Sequence, residues 1–296
     1  MWVFWGLLSA VLLGMYDVSR KVALKENAVI PVLFFACITG ATIFLPLVIM
    51  SSTHMLSSGS LLFVPSISFN EHLLFFMKSV LVGSSWFFAY YAISKLPLTI
   101  VIPIRSTGPM WTLLGALIIY SERFTVFQWL GILIVLVFFY IFSLAGRKEG
   151  INFKKDKWIY AIIIATLLGS VSSLYDKYLI PRYNRMAVQA WFSIYLVPVF
   201  VPFLLIALKR KDRKTFHWKW AIPMIGILLI LADFFYFYAL SHEGAKIALL
   251  SVLRRSSVII SFISGALIFK EQNLKKKGIA LAGILIGVVL IVLGTI

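Results

Sequence analysis

The feature that most constrains this chain is a succession of apolar runs, each about twenty residues long, the length an α-helix needs to cross a bilayer. Ten such runs follow one another. Because backbone amides in lipid must be hydrogen-bonded internally, they predict an all-α integral membrane protein with ten transmembrane helices. The predicted spans are residues 2–22, 29–50, 73–94, 98–120, 125–146, 158–179, 187–208, 219–240, 245–269 and 276–296.

The composition supports this class. Hydrophobic residues make up 61% of the chain and charged residues 13%, with a mean hydropathy of +0.97, far from the usual values for soluble domains. The single cysteine, Cys37, excludes an intrachain disulfide and a Cys-based metal site. The apolar N-terminus lacks a positively charged start, so it is predicted to be a retained first helix.

The net charge of +17 would suggest nucleic acid as a partner of a soluble protein. Here most Lys and Arg lie in the short segments after the odd-numbered spans, as in residues 147–157, and few lie in the other segments. By the positive-inside rule the basic segments are cytoplasmic and both termini are outside. The expected partners are membrane lipids and a small-molecule substrate, with no nucleic acid, and the expected location is the cell (inner) membrane, as a multi-pass protein.

An internal repeat divides the chain into a first five-helix repeat, 1–146, a charged linker, 147–157, and a second five-helix repeat, 158–296. Since five is odd, the second copy is inverted in the membrane, an arrangement associated with alternating-access transporters. The matching segments are Met15-Tyr16-Asp17 with Leu174-Tyr175-Asp176, Tyr91-Ala92-Ile93-Ser94 with Tyr238-Ala239-Leu240-Ser241, and Gly115-Ala116-Leu117-Ile118 with Gly265-Ala266-Leu267-Ile268, followed by Glu122 and Glu271.

The five-plus-five helix order, the short hairpin with Glu122 at its turn and the two Gly-Ala-Leu-Ile segments resemble the EamA-type members of the drug/metabolite transporter superfamily. The resemblance spans essentially the whole chain. It implies a basket of helices around a central cavity, lined mainly by helices 1, 3, 4, 6, 8 and 9, that moves small metabolites across a cell membrane. No cofactor is expected.

Three arginines lie well inside predicted spans, away from the span ends: Arg105 in the fourth, and Arg254 and Arg255 in the ninth. Each costs about 2.5–3.5 kcal/mol at mid-membrane, and arginine cannot shed its proton. Arg105 aligns with Arg255 or Arg254 in the repeat, depending on a one-residue choice of register. Asp233 is the carboxylate nearest mid-span and leaves two positive charges uncompensated, so an anion is expected to complete the site.

The arginine pattern is similar to that of the triose-phosphate and related translocators of the same superfamily. These hold phosphate with one basic residue on the fourth helix and an adjacent basic pair on the ninth. Arg105, Arg254 and Arg255 match that pattern, with Arg for Lys at two of the three places. The resemblance implies an anionic, possibly phosphorylated, substrate.

Arg105 and Arg254 each head a helix face of small or hydroxyl residues, at positions i+3, i+7 and i+10. Such a stripe suits close helix packing or a polar cavity wall. We expect the cavity wall, with Thr112, Ser257 and Ser261 among the substrate-binding residues. The stripes comprise Gly108, Thr112 and Gly115 in the fourth span and Ser257, Ser261 and Ser264 in the ninth.

Asp233 has two interpretations: a fixed counter-ion for an arginine, or a protonatable group that couples transport to a proton gradient. Most of the dense aromatic residues are expected to face lipid or neighbouring helices. Four are predicted to line the cavity because they fill space and offer hydrogen bonds. They are Tyr16, Trp86, Tyr90 and Tyr236.

Several residues have structural interpretations. Asp17–Arg20 and Asp176–Lys177 are expected to be ion pairs near helix ends. Glu122 and Glu271 are expected to cap the N-termini of the fifth and tenth helices. The Gly283-x-x-x-Gly287 step in the last helix suits packing within the monomer or, alternatively, a homodimer face.

Taken together, these features predict a secondary transporter of a small anionic, possibly phosphorylated, metabolite that works by alternating access. The alternative is an EamA-type exporter of amino acids or other zwitterionic metabolites, possibly proton-coupled. An enzyme is not expected, because the four histidines lie at span ends or in loops without metal-ligand spacing. Direct nucleotide drive is not expected either, since no G-x-x-x-x-G-K-[ST] signature occurs.

Overall fold

The computed structural model describes residues 2–95, 104–105, 107–144, 157–209, 215–257, 259–260, 263 and 274–294. These residues contain ten α-helices. A 3₁₀ turn, Arg255–Ser257, continues the ninth helix. The helices are α1 (Trp2–Leu24), α2 (Val29–Ser52), α3 (Phe69–Lys95), α4 (Gly108–Tyr120), α5 (Val126–Leu144), α6 (Lys157–Leu179), α7 (Arg185–Lys209), α8 (Ala221–Leu240), α9 (Ile247–Arg254) and α10 (Leu274–Leu293).

Six of these helices, α1, α2, α3, α6, α7 and α8, are long and apolar enough to cross a membrane, and α4, α5 and α10 are shorter apolar helices. Apart from Lys157, the predicted linker lies outside the described residues. Helix α3 begins before the predicted residue 73 because Ser68 and Glu71 form a capping box. In it, the backbone N–H and the hydroxyl of Ser68 donate to Glu71 Oε2 at 2.7 and 2.8 Å.

The helix contacts repeat with a period of five helices. Three contacts between helices occur twice, once at each pair of equivalent helices. The α1–α8 contact is equivalent to α6–α3, the α2–α8 contact to α7–α3, and the α1–α9 contact to α6–α4. The remaining main contacts, α2–α7, α4–α9 and α5–α10, each join a helix to its own counterpart. This pattern is what two inverted five-helix repeats require, and it confirms the predicted fold class.

The bundle has two ends, which we name by their loops. The terminal end is where α1 begins and α10 ends, and the basic end carries the lysine- and arginine-rich segments. Toward the terminal end lies one continuous core that draws on nearly every helix and includes Phe75, Leu179 and Leu250. Within the described residues, the buried apolar side chains toward the basic end form three smaller clusters, which include Ile162, Ile225 and Phe200.

The glycine step of α10 packs against α5 within the monomer. A Cβ on Gly287 would lie 2.6 Å from Val135 Cγ2 and 2.8 Å from the Gly131 carbonyl oxygen, and one on Gly131 would lie 2.6 Å from the Gly287 oxygen. A Cβ on Gly283 would lie 2.2 Å from the Phe138 ring. These glycines thus allow backbone-to-backbone contact between the repeats, and any homodimer through α10 would have to use another of its faces.

Glu122 caps a different helix from the one predicted. Its carboxylate accepts hydrogen bonds from the N–H groups of Ile247 (2.8 Å) and Ala248 (3.4 Å), in the first turn of α9. Ser121 takes a left-handed conformation (φ 50°) just before it. Helix α5 is capped instead by Thr125 with Gln128, whose side chains accept each other's backbone N–H.

The carboxyl of Glu122 is largely buried. Burial raises its pKa above the ordinary value, while the amide of Ile247 and the ammonium of Lys177, 3.8 Å away, act in the opposite direction. The prediction for Glu122 was wrong because α4 and α9 are neighbours across the repeats, which sequence distance conceals. Glu271 lies outside the described residues.

The α5–α10 contact yields a stability prediction. We expect Gly287→Ala to lower the free energy of unfolding in detergent by about 1–3 kcal/mol, because its Cβ meets backbone atoms that cannot move aside. Gly278, in the same helix, has no atom within 4 Å of its Cβ position, so Gly278→Ala should be neutral or stabilising. Tryptophan-fluorescence unfolding compares the two; equal effects would contradict this account of the contact.

Candidate functional site

Arg254 and Arg255 are consecutive, so their side chains leave α9 in different directions. Arg254 Nη2 lies 2.9 Å from Asp233 Oδ1 of α8, and both side chains are 16% exposed. The guanidinium also lies 4.2 Å from the ring centroid of Tyr236, which is buried. In this structure Asp233 is therefore the ion-pair partner of Arg254.

Arg255, in the turn after α9, interacts electrostatically with Arg105, which precedes α4 in the chain, and both interact with the carboxylate of Asp17 in α1. Asp17 is already bound to Arg20, with 2.8 Å between Oδ1 and Nη2. Within the described residues, neither Arg105 nor Arg255 forms a salt bridge of its own, and the Nε of Arg255 is buried without a hydrogen-bond partner. Two guanidinium groups from opposite repeats thus interact with the same carboxylate, that of Asp17, which already pairs with Arg20.

A buried lysine that the sequence analysis did not single out also belongs to this charged interior. Lys78 of α3 is 2% exposed, and its ammonium is bonded to Asp176 Oδ1 of α6. The ammonium also lies 4.6 Å from the Phe192 ring and 5.2 Å from the Phe237 ring. A lone lysine inside an otherwise apolar span was the signal that could have identified it.

The partner of Asp176 corrects a prediction. Lys177 does not pair with Asp176, because neighbouring residues point about 100° apart around a helix. Lys177 instead donates to the Ala245 carbonyl oxygen and lies near Glu122. The other predicted pair, Asp17–Arg20, is present, because residues i and i+3 share a helix face.

A cavity of about 30 Å³, room for roughly one or two waters, lies beside this charged centre. Tyr16, Trp86 and Asp233 border it, and apolar residues of α2, α7 and α8 form most of the remaining wall. Trp86 stacks on Phe200, with 6.3 Å between ring centroids. The structure thus places two of the four predicted aromatic residues and Asp233 on a cavity wall.

The other two predicted aromatic residues contact the charged groups directly. Tyr90 is buried on α3 and interacts with Tyr16 and Arg20. Tyr236 lies beneath Arg254 and also interacts with Asp176, so it joins the two ion pairs on the terminal side.

The small-residue stripe of α4 is a packing face and not a cavity wall. The Gly108 carbonyl oxygen accepts a hydrogen bond from Ser170 of α6 at 2.9 Å. Thr112 is 1% exposed and donates to the same oxygen at 3.3 Å. A Cβ on Gly115 would lie 2.2 Å from Leu174 of α6. The expected place of Thr112 on the cavity wall is therefore wrong for this conformation; small residues were needed for the α4–α6 approach.

The corresponding stripe of the ninth helix is described only at its start. Ser257 ends the 3₁₀ turn and is partly buried. Its carbonyl oxygen lies 2.8 Å from the position of a Cβ on Gly14, so α1 and this turn approach closely. Ser261 and Ser264 lie outside the described residues.

The inverted repeats, the apolar helices and the charged centre between the halves define a multi-pass membrane protein of the transporter class. The sequence matches the model of the EamA-like transporter family over residues 1–144 and again over residues 156–293. The chain belongs to the EamA-like transporter family, which is a family of membrane transporters of small molecules.

The fold is also found in a solved structure. A crystal structure of a protein with 17% sequence identity superposes with a TM-score of 0.71, covering 99% of this chain and 96% of its own. At that identity the similarity shows the fold alone. A search of curated proteins finds no match.

The Arg254–Asp233 pair yields a second prediction. We expect Asp233→Asn to lower the free energy of unfolding by about 3 kcal/mol, because it leaves a largely buried guanidinium without its counter-charge. Glu243→Gln, which removes an exposed carboxylate at the end of the same helix, should change it little. Unfolding in detergent measures the free energy of unfolding of both variants. An unchanged value for Asp233→Asn would show that the stability of the protein does not depend on the Arg254–Asp233 pair.

Proposed function

We propose that the protein is a secondary transporter that moves a small anionic metabolite, with phosphorylated metabolites among the candidates, across the cell (inner) membrane by alternating access. Arg105 and Arg255 are the anion-binding groups in this proposal. The observation that supports it is the electrostatic interaction of these two guanidinium groups, from opposite repeats, with each other and with Asp17, which already pairs with Arg20. Arg254 is occupied by Asp233 and acts as a neighbour of the site.

The electrostatics favour an anion at this place. Among the described residues around the candidate site, five basic side chains accompany three acidic ones, so positive charge is in excess there: Arg20, Lys78, Arg105, Arg254 and Arg255 with Asp17, Asp176 and Asp233. Like charges repel strongly where water is scarce. An anion between two guanidinium groups offsets their repulsion. Its oxygens accept charge-assisted hydrogen bonds, and the geometry of a guanidinium group suits two parallel bonds to a carboxylate or phosphate.

The membrane orientation is also part of the proposal. The basic end carries most of the loop lysines and arginines, so the positive-inside rule places it in the cytoplasm. The terminal end then faces outside.

One observation supports the alternative of an amino acid or other zwitterion. Asp233 borders the cavity and Arg254 Nη2 lies 2.9 Å from its carboxylate, so a carboxylate and a guanidinium group are both close to the same space. A zwitterion could place its ammonium near Asp233 and its carboxylate near Arg255. Proton coupling through Asp233 would require this residue to leave Arg254.

Transport by purified protein in liposomes tests the proposal. With a panel of sugar phosphates, organic acids and amino acids, we expect an anion to be taken up. Arg105→Gln and Arg255→Gln should each reduce that uptake at least about tenfold, as expected for losing a charged hydrogen bond. The matched control is Arg182→Gln, which should transport normally. Arg182 is exposed and donates a hydrogen bond to the Tyr178 carbonyl oxygen at 2.9 Å.

A stability measurement separates binding from folding in these variants. Without ligand, Arg255→Gln should be as stable as the natural protein or more stable, because charge repulsion is relieved. Stabilisation by the transported anion should be lost. Uptake of amino acids alone, or normal anion uptake by both arginine variants, would contradict the proposed site.

A further inference from the structure

The Lys78–Asp176 pair joins the two repeats at the terminal end. Lys78 is on α3 of the first repeat and Asp176 on α6 of the second. Both residues are buried, at 2% and 5% exposure, next to Phe75, Leu179 and Phe237 of the continuous core. The pair therefore lies in the part of the bundle that blocks passage from the cavity to the terminal end.

The repeat lets this interface be compared with its counterpart at the basic end, where α1 packs on α8. Asp17 corresponds to Asp176 in the matching Tyr-Asp segments. Counting back thirteen residues from Tyr91 and from Tyr238 gives Lys78 in one repeat and Ile225 in the other. Thus the carboxylate is present at both interfaces, but the lysine is present only at the terminal end.

The consequence is visible in the structure. Without a lysine on α8, Asp17 pairs with Arg20 of its own helix, and these side chains are 36% and 25% exposed. Ile225, at the place equivalent to Lys78, borders the cavity. The interface with the cross-repeat ion pair thus has two buried, paired charges, and the equivalent interface has a buried isoleucine beside the cavity and an ion pair within α1.

We infer that the Lys78–Asp176 pair is the latch that closes the terminal end of the transport path, and that the two side chains separate when the cavity opens to that side. The inference rests on the transport role of the family and not on the charge of the substrate. It goes beyond the proposed function because it assigns the closure of one end to one pair of residues outside the arginine site.

The physics of an ion pair suits a latch. In a dry interior the attraction between two charges is strong, and leaving either charge unpaired is costly. When water enters, it solvates both groups and the attraction becomes weak. The pair therefore holds a closed, dry interface and offers little resistance once that interface is wet.

The chain contains its own reporter of opening. Cys37 is its single cysteine, borders the cavity and is 6% exposed. A membrane-impermeant thiol reagent, applied to vesicles from the face that carries the chain termini, reaches Cys37 only when the terminal end is open. The same reagent applied from the opposite face measures access through the basic end.

We expect Lys78→Met and Asp176→Asn each to raise the rate of Cys37 labelling from the terminal face about tenfold, which corresponds to about 1.4 kcal/mol of lost closure energy. Labelling from the basic face should not rise. The double variant Lys78→Met/Asp176→Asn leaves no buried charge without a partner, so it tests the latch in folded protein even if a single variant does not fold. Arg182→Gln, at the same end and exposed, is the matched control and should label as the natural protein does.

Three results would overturn the inference. The first is unchanged terminal-face labelling in a folded variant of the pair. The second is an equal rise from both faces, which would show general loosening of the bundle. The third is an equal rise in Arg182→Gln, which would show that any lost charge at this end has the effect.

Discussion

The interior of this bundle depends on one electrostatic constraint: a basic side chain removed from water needs a counter-charge within hydrogen-bonding distance. Three carboxylates, one each on α1, α6 and α8, meet that need for three basic side chains around the candidate site. Arg105, which precedes α4, and Arg255, in the turn after α9, form no salt bridge within the described residues. These two guanidinium groups come from opposite repeats. The interior pairs are Arg20–Asp17, Lys78–Asp176 and Arg254–Asp233.

Much of the fold could be predicted from the sequence because it depends on patterns along the chain. Spans are set by the thickness of the bilayer, and the inverted repeat follows from an odd number of helices in each copy. The same holds for local contacts such as Asp17–Arg20, which are fixed by helix geometry. The three mid-span arginines could be found for the same reason, since no pattern of lipid contact accounts for them.

The rest depends on which helices become neighbours, and a single sequence shows this poorly. Lys78 has no partner nearby in the chain, and its carboxylate lies three helices away. Thr112 and its flanking glycines illustrate a different difficulty, because small residues serve close packing and polar cavities equally well. Only the contact with α6 decides between them. The Thr125-x-x-Gln128 signature, by contrast, was readable and would have shown that α5 already had a cap.

The cap made by Glu122 has a consequence for the arginine pair. Glu122 follows α4, which belongs to the first repeat, and its carboxylate holds the first turn of α9, which belongs to the second. Helix α4, which follows Arg105, and helix α9, which precedes Arg255, are thus held to each other at the terminal end by hydrogen bonds that cross the repeat boundary. The relative position of the two guanidinium groups therefore depends in part on a loop at the opposite end of these helices.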